Sequence, residues 1–231
     1  NRIHWRAMAR TGQLHSKTYE PTCVAGATLV LDFHQDSFKE PGAVFRQELA
    51  ITTASSLANA LHVMGEQVGL ISNGRDAADR IREEGWRLEF RTRQDAQAHV
   101  ARQKGSDRLR PVVVPTRRGG RQMMDILETL ARLETTDGMS AAQLIQETAS
   151  QMPRDATVVA ILSEAPDETV QALAALRRRG YAVTVVLVLF NEPTHPDWAK
   201  PPEWEASLIG AGVEVRRVTD EESVASLCSG T

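Results

Sequence analysis

The sequence predicts one doubly wound α/β domain: a mostly parallel sheet of about six strands with helices on both faces. Two observations predict it. From Gly26 onward, short apolar runs alternate with segments whose apolar residues return every three or four positions, the pattern of strands joined by crossover helices. Such crossovers are right-handed by default, which winds the chain over both sides of one sheet. The length of 231 residues allows one large domain or two small ones, and a single core of that size buries most of its unfolded apolar surface.

The elements follow in chain order. Ala27 to Phe33 (ATLVLDF) is a buried strand that ends on polar residues. Val44 to Met64 is a helix whose Phe45, Leu49, Thr53, Leu57, Leu61 and Met64 share one face, with Gly65 placed to stop it. Gln67 to Ser72 is the second strand, and Asn73-Gly74 signals a turn. In the polar stretch that follows, Arg87 to Arg91 reads as an exposed edge strand and Gln94 to Gln103 as a short helix. Pro111 to Pro115 (PVVVP) is either a short strand or an extended connection, restricted by its prolines to an edge or a terminus. After Gly119-Gly120, the apolar stripe Met123, Ile126, Leu127, Leu130 and Leu133 marks an amphipathic helix, and Ser140 caps another that runs to Ser150.

The last third is the most regular. Thr157 to Leu162 is a strand, Asp167 to Arg179 a helix closed by Gly180, and Ala182 to Phe190 a strand rich in β-branched residues. A proline-rich loop from Asn191 to Pro202 precedes a short helix at Glu203 to Gly210. Val213 to Val218 is the last strand, and Thr219 caps a final helix at Asp220 to Leu227. Residues 1–22 stand outside this alternation. Arg2 to Arg10 reads as a cationic helix and Gln13 to Glu20 as a strand, continuing from sequence upstream of Asn1; residues 23–231 form the α/β domain.

Composition narrows the function. Thirty acidic residues against 27 basic ones give a net charge of -3; a dedicated nucleic-acid binder carries a basic domain, so no nucleic-acid partner is expected. Trp5, Trp198 and Trp204 are scattered and offer no stacking platform. Cys23 and Cys228 do not make a disulfide framework and read as unpaired thiols. The longest apolar run, Ala182 to Phe190, is about half of the ~20 residues a membrane helix needs. The start at Asn1 rather than Met reads as that of a piece of something longer.

In open α/β sheets, ligands bind beyond the carboxyl ends of the strands. The first strand delivers Asp32, His34 and Asp36 there, and a later one Ser163, Glu164 and Asp167. Two carboxylates and an imidazole at alternate positions suit a divalent metal such as Mg²⁺. Equally, Asp32 caps its own loop while His34 and Asp36 are solvated, and Ser163 and Asp167 start the next helix with Pro166 in its first turn. The sequence has no phosphate-binding loop, no G-x-G-x-x-G after the first strand, no G-x-S-x-G elbow and no zinc motif. The Asp-x-Asp of haloacid dehalogenase-type phosphohydrolases is broken by His34.

Three stretches resemble the bacterial domain-of-unknown-function family 58, whose domain is similar to a von Willebrand factor A domain. Ile3, His4, Trp5, Arg6, Ala9 and Arg10 are very like the family's hallmark segment; Leu29 to Asp32 matches its opening strand; and Pro115, Arg118-Gly119 and Ile126 to Ala131 resemble a later stretch. The resemblance implies a von Willebrand factor A-like fold and an adhesion-type metal site with Asp-x-Ser-x-Ser, a middle-loop Thr and a later Asp. In this chain Asp32 keeps the first position, His34 and Asp36 replace the serines, and Ser163-Glu164 stands for the later pair. The middle-loop Thr is expected near Gly120, where Arg121 stands and would neutralise the carboxylates in place of a metal. The resemblance further implies a non-enzymatic interaction domain on the cytoplasmic side of the inner membrane, anchored by upstream transmembrane helices and partnered by a MoxR-type AAA+ ATPase. The residues alone leave a second reading open: a metal-dependent, phosphatase-like hydrolase using Asp32, His34 and Asp36, with Ser163 and Glu164 nearby.

Overall fold

A computed structural model describes residues 26–38, 42–84, 109–190 and 203–229. In chain order the elements are β1 (Gly26–Leu31), α1 (Ala43–Val63), β2 (Gln67–Ser72), β3 (Arg75–Asp76), α2 (Ala77–Glu84), β4 (Val112–Arg117), α3 (Gly120–Ala131) and β5 (Leu133–Glu134). There follow α4 (Ala141–Thr148), β6 (Thr157–Leu162), α5 (Asp167–Arg178), β7 (Val183–Val188), α6 (Glu203–Gly210), β8 (Glu214–Val218) and α7 (Glu221–Ser229). Six strands form one sheet in the order β4-β2-β1-β6-β7-β8. Within that sheet every pairing is parallel except that of β4 with β2, and β3 and β5 form a separate antiparallel pair. The doubly wound architecture read from the alternation is the observed one.

Alternate residues of each central strand enter opposite cores. Leu29 and Leu31 of β1, Ile161 of β6 and Val186 of β7 pack with α1, α3 and α7 through Leu49, Ile126 and Val224. Val30, Ala160, Leu162 and Val185 pack with α4, α5 and α6 through Leu144, Leu173 and Leu208. Burial on both faces is why these strands read as unbroken apolar runs. The face of α1 holds Leu49, Thr53, Leu57 and Leu61 toward the core as expected and departs from the expectation at its two ends. Ala50, Ala54 and Ala58 are buried with Leu49 and Thr53, whereas Phe45 is 43% and Met64 63% exposed. Small residues four apart let the helix lie close on the strands, with Leu57 and Leu61 packed beside that line. Phe45 instead meets Phe190 edge to face at 5.5 Å, and Phe190 covers Gly42, which starts α1 at φ 76°.

The proline-flanked run is an antiparallel edge strand, and Pro115 lies within it. Its register shifts between Val68 and Leu70. Gln122, buried at the start of α3, donates through Nε2 to Val68 O at 2.9 Å and Pro115 O at 2.7 Å, serving carbonyls at that irregularity. Gly69 has no side chain because Thr116 lies directly over it; across that gap the hydroxyls of Thr28 and Thr116 are 2.9 Å apart.

Three local readings change. Residues 77–84 form α2, which polarity hid. Pro166 is the N-cap of α5 rather than part of its first turn. Helix α7 is capped by Asp220, whose Oδ1 accepts from Ser223 N at 2.8 Å, and not by Thr219. Helix α4 carries the expected Ser140 cap, completed into a box by Gln143. The strand at Arg87 to Arg91, the helix at Gln94 to Gln103, the loop at Asn191 to Pro202 and the leading segment with Cys23 lie outside the described residues. Among the described residues Cys228 is a free thiol, and no helix is long and apolar enough to cross a membrane.

Candidate functional site

The carboxyl ends of β1, β2 and β6 meet the loop before α4 at one edge of the sheet. Past Leu31 the chain stays paired for one more residue, as Asp32 N donates to Ile161 O at 3.1 Å. It then turns through a short 3-10 segment at Gln35–Ser37. Phe33 and Phe38 are buried and meet edge to face at 5.3 Å, which fastens both ends of that turn to the core.

Asp32 is 2% exposed. Its Oδ2 accepts from Ser37 Oγ at 2.5 Å, and its Oδ1 from Asn73 Nδ2 at 2.7 Å and His34 N at 3.2 Å. Asn73, equally buried, also accepts from Phe33 N at 2.6 Å and donates to Met139 O at 3.0 Å. The loop before α4 is stitched to the β1 loop by its own backbone, with Gln35 N donating to Thr136 O at 2.9 Å. Asp32 and Asn73 thus bind three loops into one body. Burial raises the Asp32 carboxyl above its ordinary value of 3.8, and its hydrogen-bond donors only partly offset this.

Beside this knot lies a cleft of about 280 Å³ lined by Asp32, His34, Asp36, Ser37, Ser140 and Glu164, with Pro166 and Thr169 at the start of α5. The structure therefore brings Asp32, His34, Asp36 and Glu164 together. Ser163 is buried nearby, its hydroxyl without a hydrogen-bond partner, but does not line the cleft. Arg121 is elsewhere. Because β4 runs antiparallel, Arg117 pairs with Val68 at the entry end of β2, and Arg121 follows at that far edge. It cannot neutralise Asp32; the loop that reaches the cleft does so at Ser140. Ser37, Asn73 and Ser140 had not been singled out as site residues. The hallmark residues Ile3, His4, Trp5, Arg6, Ala9 and Arg10 lie outside the described residues.

The residues present do not fit the divalent cation that the fold resemblance implies. A hard cation needs ionised, inward-facing oxygens. Asp32 has both oxygens occupied by protein donors and its charge disfavoured by burial. His34 Nδ1 accepts from Asp36 N at 3.2 Å, and the Asp36 side chain is 75% exposed. Among the described residues no three His, Cys, Asp or Glu side chains are grouped to hold a metal, so Asp32, His34 and Asp36 do not converge as a ligand set. The cleft is lined instead by the carboxylates of Asp32, Asp36 and Glu164 and the hydroxyls of Ser37 and Ser140.

Known structures share this architecture. The pilus adhesin SpaC from Lactobacillus rhamnosus GG is similar with a TM-score of 0.57 at 9% identity, over 94% of this chain and 31% of the adhesin. The conserved hypothetical protein BatB from Bacteroides thetaiotaomicron is similar at 0.51 and 13%, over 89% of this chain and 96% of that one. An aerotolerance-related membrane protein from Bacteroides fragilis is similar at 0.53 and 13%, over 89% and 97%. No family model and no curated protein matches the sequence. The chain has a von Willebrand factor A-like fold, with the antiparallel strand at one edge of a six-stranded sheet. It spans under a third of the adhesin's length.

Proposed function

We propose that this chain is a non-enzymatic protein-interaction domain that engages its partner over the carboxyl edge of the sheet, without a bound metal. The observation that carries this reading is the use of Asp32. The residue that would open a metal site is spent on Ser37, Asn73 and the His34 amide, fixing three loops as a rigid platform around the cleft. Pre-organised loops lower the ordering cost of association. The rim carboxylates Asp36 and Glu164 suit a partner surface rich in donors and positive charge.

The finer reading rests on the resemblance of the opening segment to the family-58 hallmark. On it, the domain is the cytoplasmic part of an inner-membrane-anchored bacterial protein and works with a MoxR-type AAA+ ATPase in assembling or activating a complex. The similarity to an aerotolerance-related membrane protein supports the anchoring. The test is biolayer interferometry against the purified MoxR-type ATPase. Binding is expected to survive EDTA, to weaken about tenfold or more in Asp36→Lys/Glu164→Lys, and to be unchanged in Arg121→Ala at the opposite edge. Binding that requires a divalent cation, or that ignores the double reversal, contradicts the proposal.

A further inference from the structure

Strand β8 closes the sheet on one side: it pairs with β7 and, among the described residues, with nothing beyond. Its polarity can be read from one bond. Leu189 N donates to Val218 O at 2.9 Å, so the backbone of Val218 faces β7. Groups alternate along an extended strand. Glu214 and Arg216 therefore also turn their backbone toward β7, while Val215 and Arg217 present N–H and C=O at the free edge. A cleft of about 410 Å³ runs beside it, lined by Val215, Arg216 and Arg217 with Glu205 of α6 and Ser226 and Leu227 of α7.

The charge pattern indicates which strand enters. Antiparallel self-pairing through outward-facing residues has three central registers. Centring on the Val215/Arg217 pair sets Arg216 against Arg216 of the partner subunit, and centring on Arg217 sets Arg216 against a valine. Centring on Val215 sets Glu214 against Arg216 of the partner subunit, twice. Those flanking pairs are non-hydrogen-bonded ones, where Cα atoms approach to about 4.5 Å and side chains are closest. Glu214 and Arg216 already touch within one chain at 2.7 Å, so the pairs would merge into a four-charge network on one face. Backbone polarity admits all three registers, and charge selects the one centred on Val215.

We propose that β8 is a self-association edge: two copies of the chain pair antiparallel about Val215, joining their sheets across a two-fold axis. Edge charges more often block pairing; here the Glu-x-Arg alternation is self-complementary and blocks it only in other registers. The surface is distinct from the cleft at the strand ends and leaves that cleft open in both copies.

Sedimentation velocity over a concentration series tests this. The mass is expected to rise from 25.4 kDa toward twice that value. Glu214→Arg places two arginines opposite each other, and Arg216→Glu two glutamates, so each variant alone is expected to dissociate about tenfold more readily or worse. Mixing the two variants restores both attractive pairs, and a heterodimer of wild-type strength is expected. Because the rescue uses the same two variant chains, misfolding cannot mimic it. A monomer at every concentration, a dimer indifferent to either reversal, or a mixture no tighter than its components would overturn the proposal.

Discussion

Asn73→Ala is the most informative single change to the loop platform. Asn73 is 1% exposed and its amide joins three partners: Phe33 N at 2.6 Å, Asp32 Oδ1 at 2.7 Å and Met139 O at 3.0 Å. Alanine leaves the Phe33 N–H and the Met139 carbonyl buried without partners, at about 1–3 kcal/mol each. It also takes one donor from a buried carboxylate. The expected loss is about 4 kcal/mol, a large share of the roughly 5–15 kcal/mol that holds a typical domain together. Urea unfolding followed by far-UV circular dichroism reads it as a lower midpoint at similar slope. Asn73→Asp is a sharper companion. It keeps the Phe33 bond but sets a second carboxylate against Asp32, so its loss is expected to be at least as large at neutral pH and to shrink on acidification. A loss below about 1 kcal/mol in Asn73→Ala would refute the claim that this amide ties the loops together.

Three other outcomes follow from the same structure. Asp32 is held above its ordinary value of 3.8 by burial, so the folded state keeps a proton that the unfolded chain has released. The stability this group contributes is full below 3.8, declines as pH rises through the window up to the folded value, and is lost above it. Asp32→Asn, in which Ser37 can turn to accept, is expected to flatten that part of the stability-pH curve, and an unchanged slope contradicts the assignment. The Glu205 side chain is 6% exposed and takes Arg217 Nη2 at 2.7 Å on Oε1, while its Oε2 is buried without a partner. Arg217→Ala is expected to cost about 2 kcal/mol, with most of it recovered in Arg217→Ala/Glu205→Gln; denaturation of both variants checks this, and a double variant as unstable as the single one counts against it. Gln122→Leu strands the Val68 and Pro115 carbonyls and is expected to cost about 2 kcal/mol, with faster hydrogen exchange at β4 as the local signature; unchanged exchange there rules out the repair role.

How far the sequence reveals this molecule depends on the range of each interaction. The central strands were legible because burial on both faces leaves almost no polar residue between Ala27 and Leu31 or between Val183 and Val188. Helix ends marked by Ser140 and Gly180 were legible because capping is local. The face of α1 was legible in Leu49, Thr53, Leu57 and Leu61, whereas Ala50, Ala54 and Ala58 carry little hydrophobic signal, yet they set how closely the helix approaches. Asp32 and Glu164 were found by the rule that ligand sites gather past strand ends. Asn73 was not, because Asn-Gly reads locally as a turn, and its bond to Asp32 spans 41 positions. Arg121 was set at the wrong edge because a short apolar run carries no sign of strand direction. Once β4 is known to be antiparallel, the helix after it must begin at the far end of the sheet.

The most direct test of the role given to Asp32 is calorimetric titration of the folded chain with Mg²⁺ and Mn²⁺, run beside Asp32→Asn. If Asp32 is an internal anchor, neither protein gives a saturable heat and the two traces coincide. A saturable heat in the wild-type chain that disappears in Asp32→Asn would make Asp32 a metal ligand and contradict the account of a metal-free interaction platform.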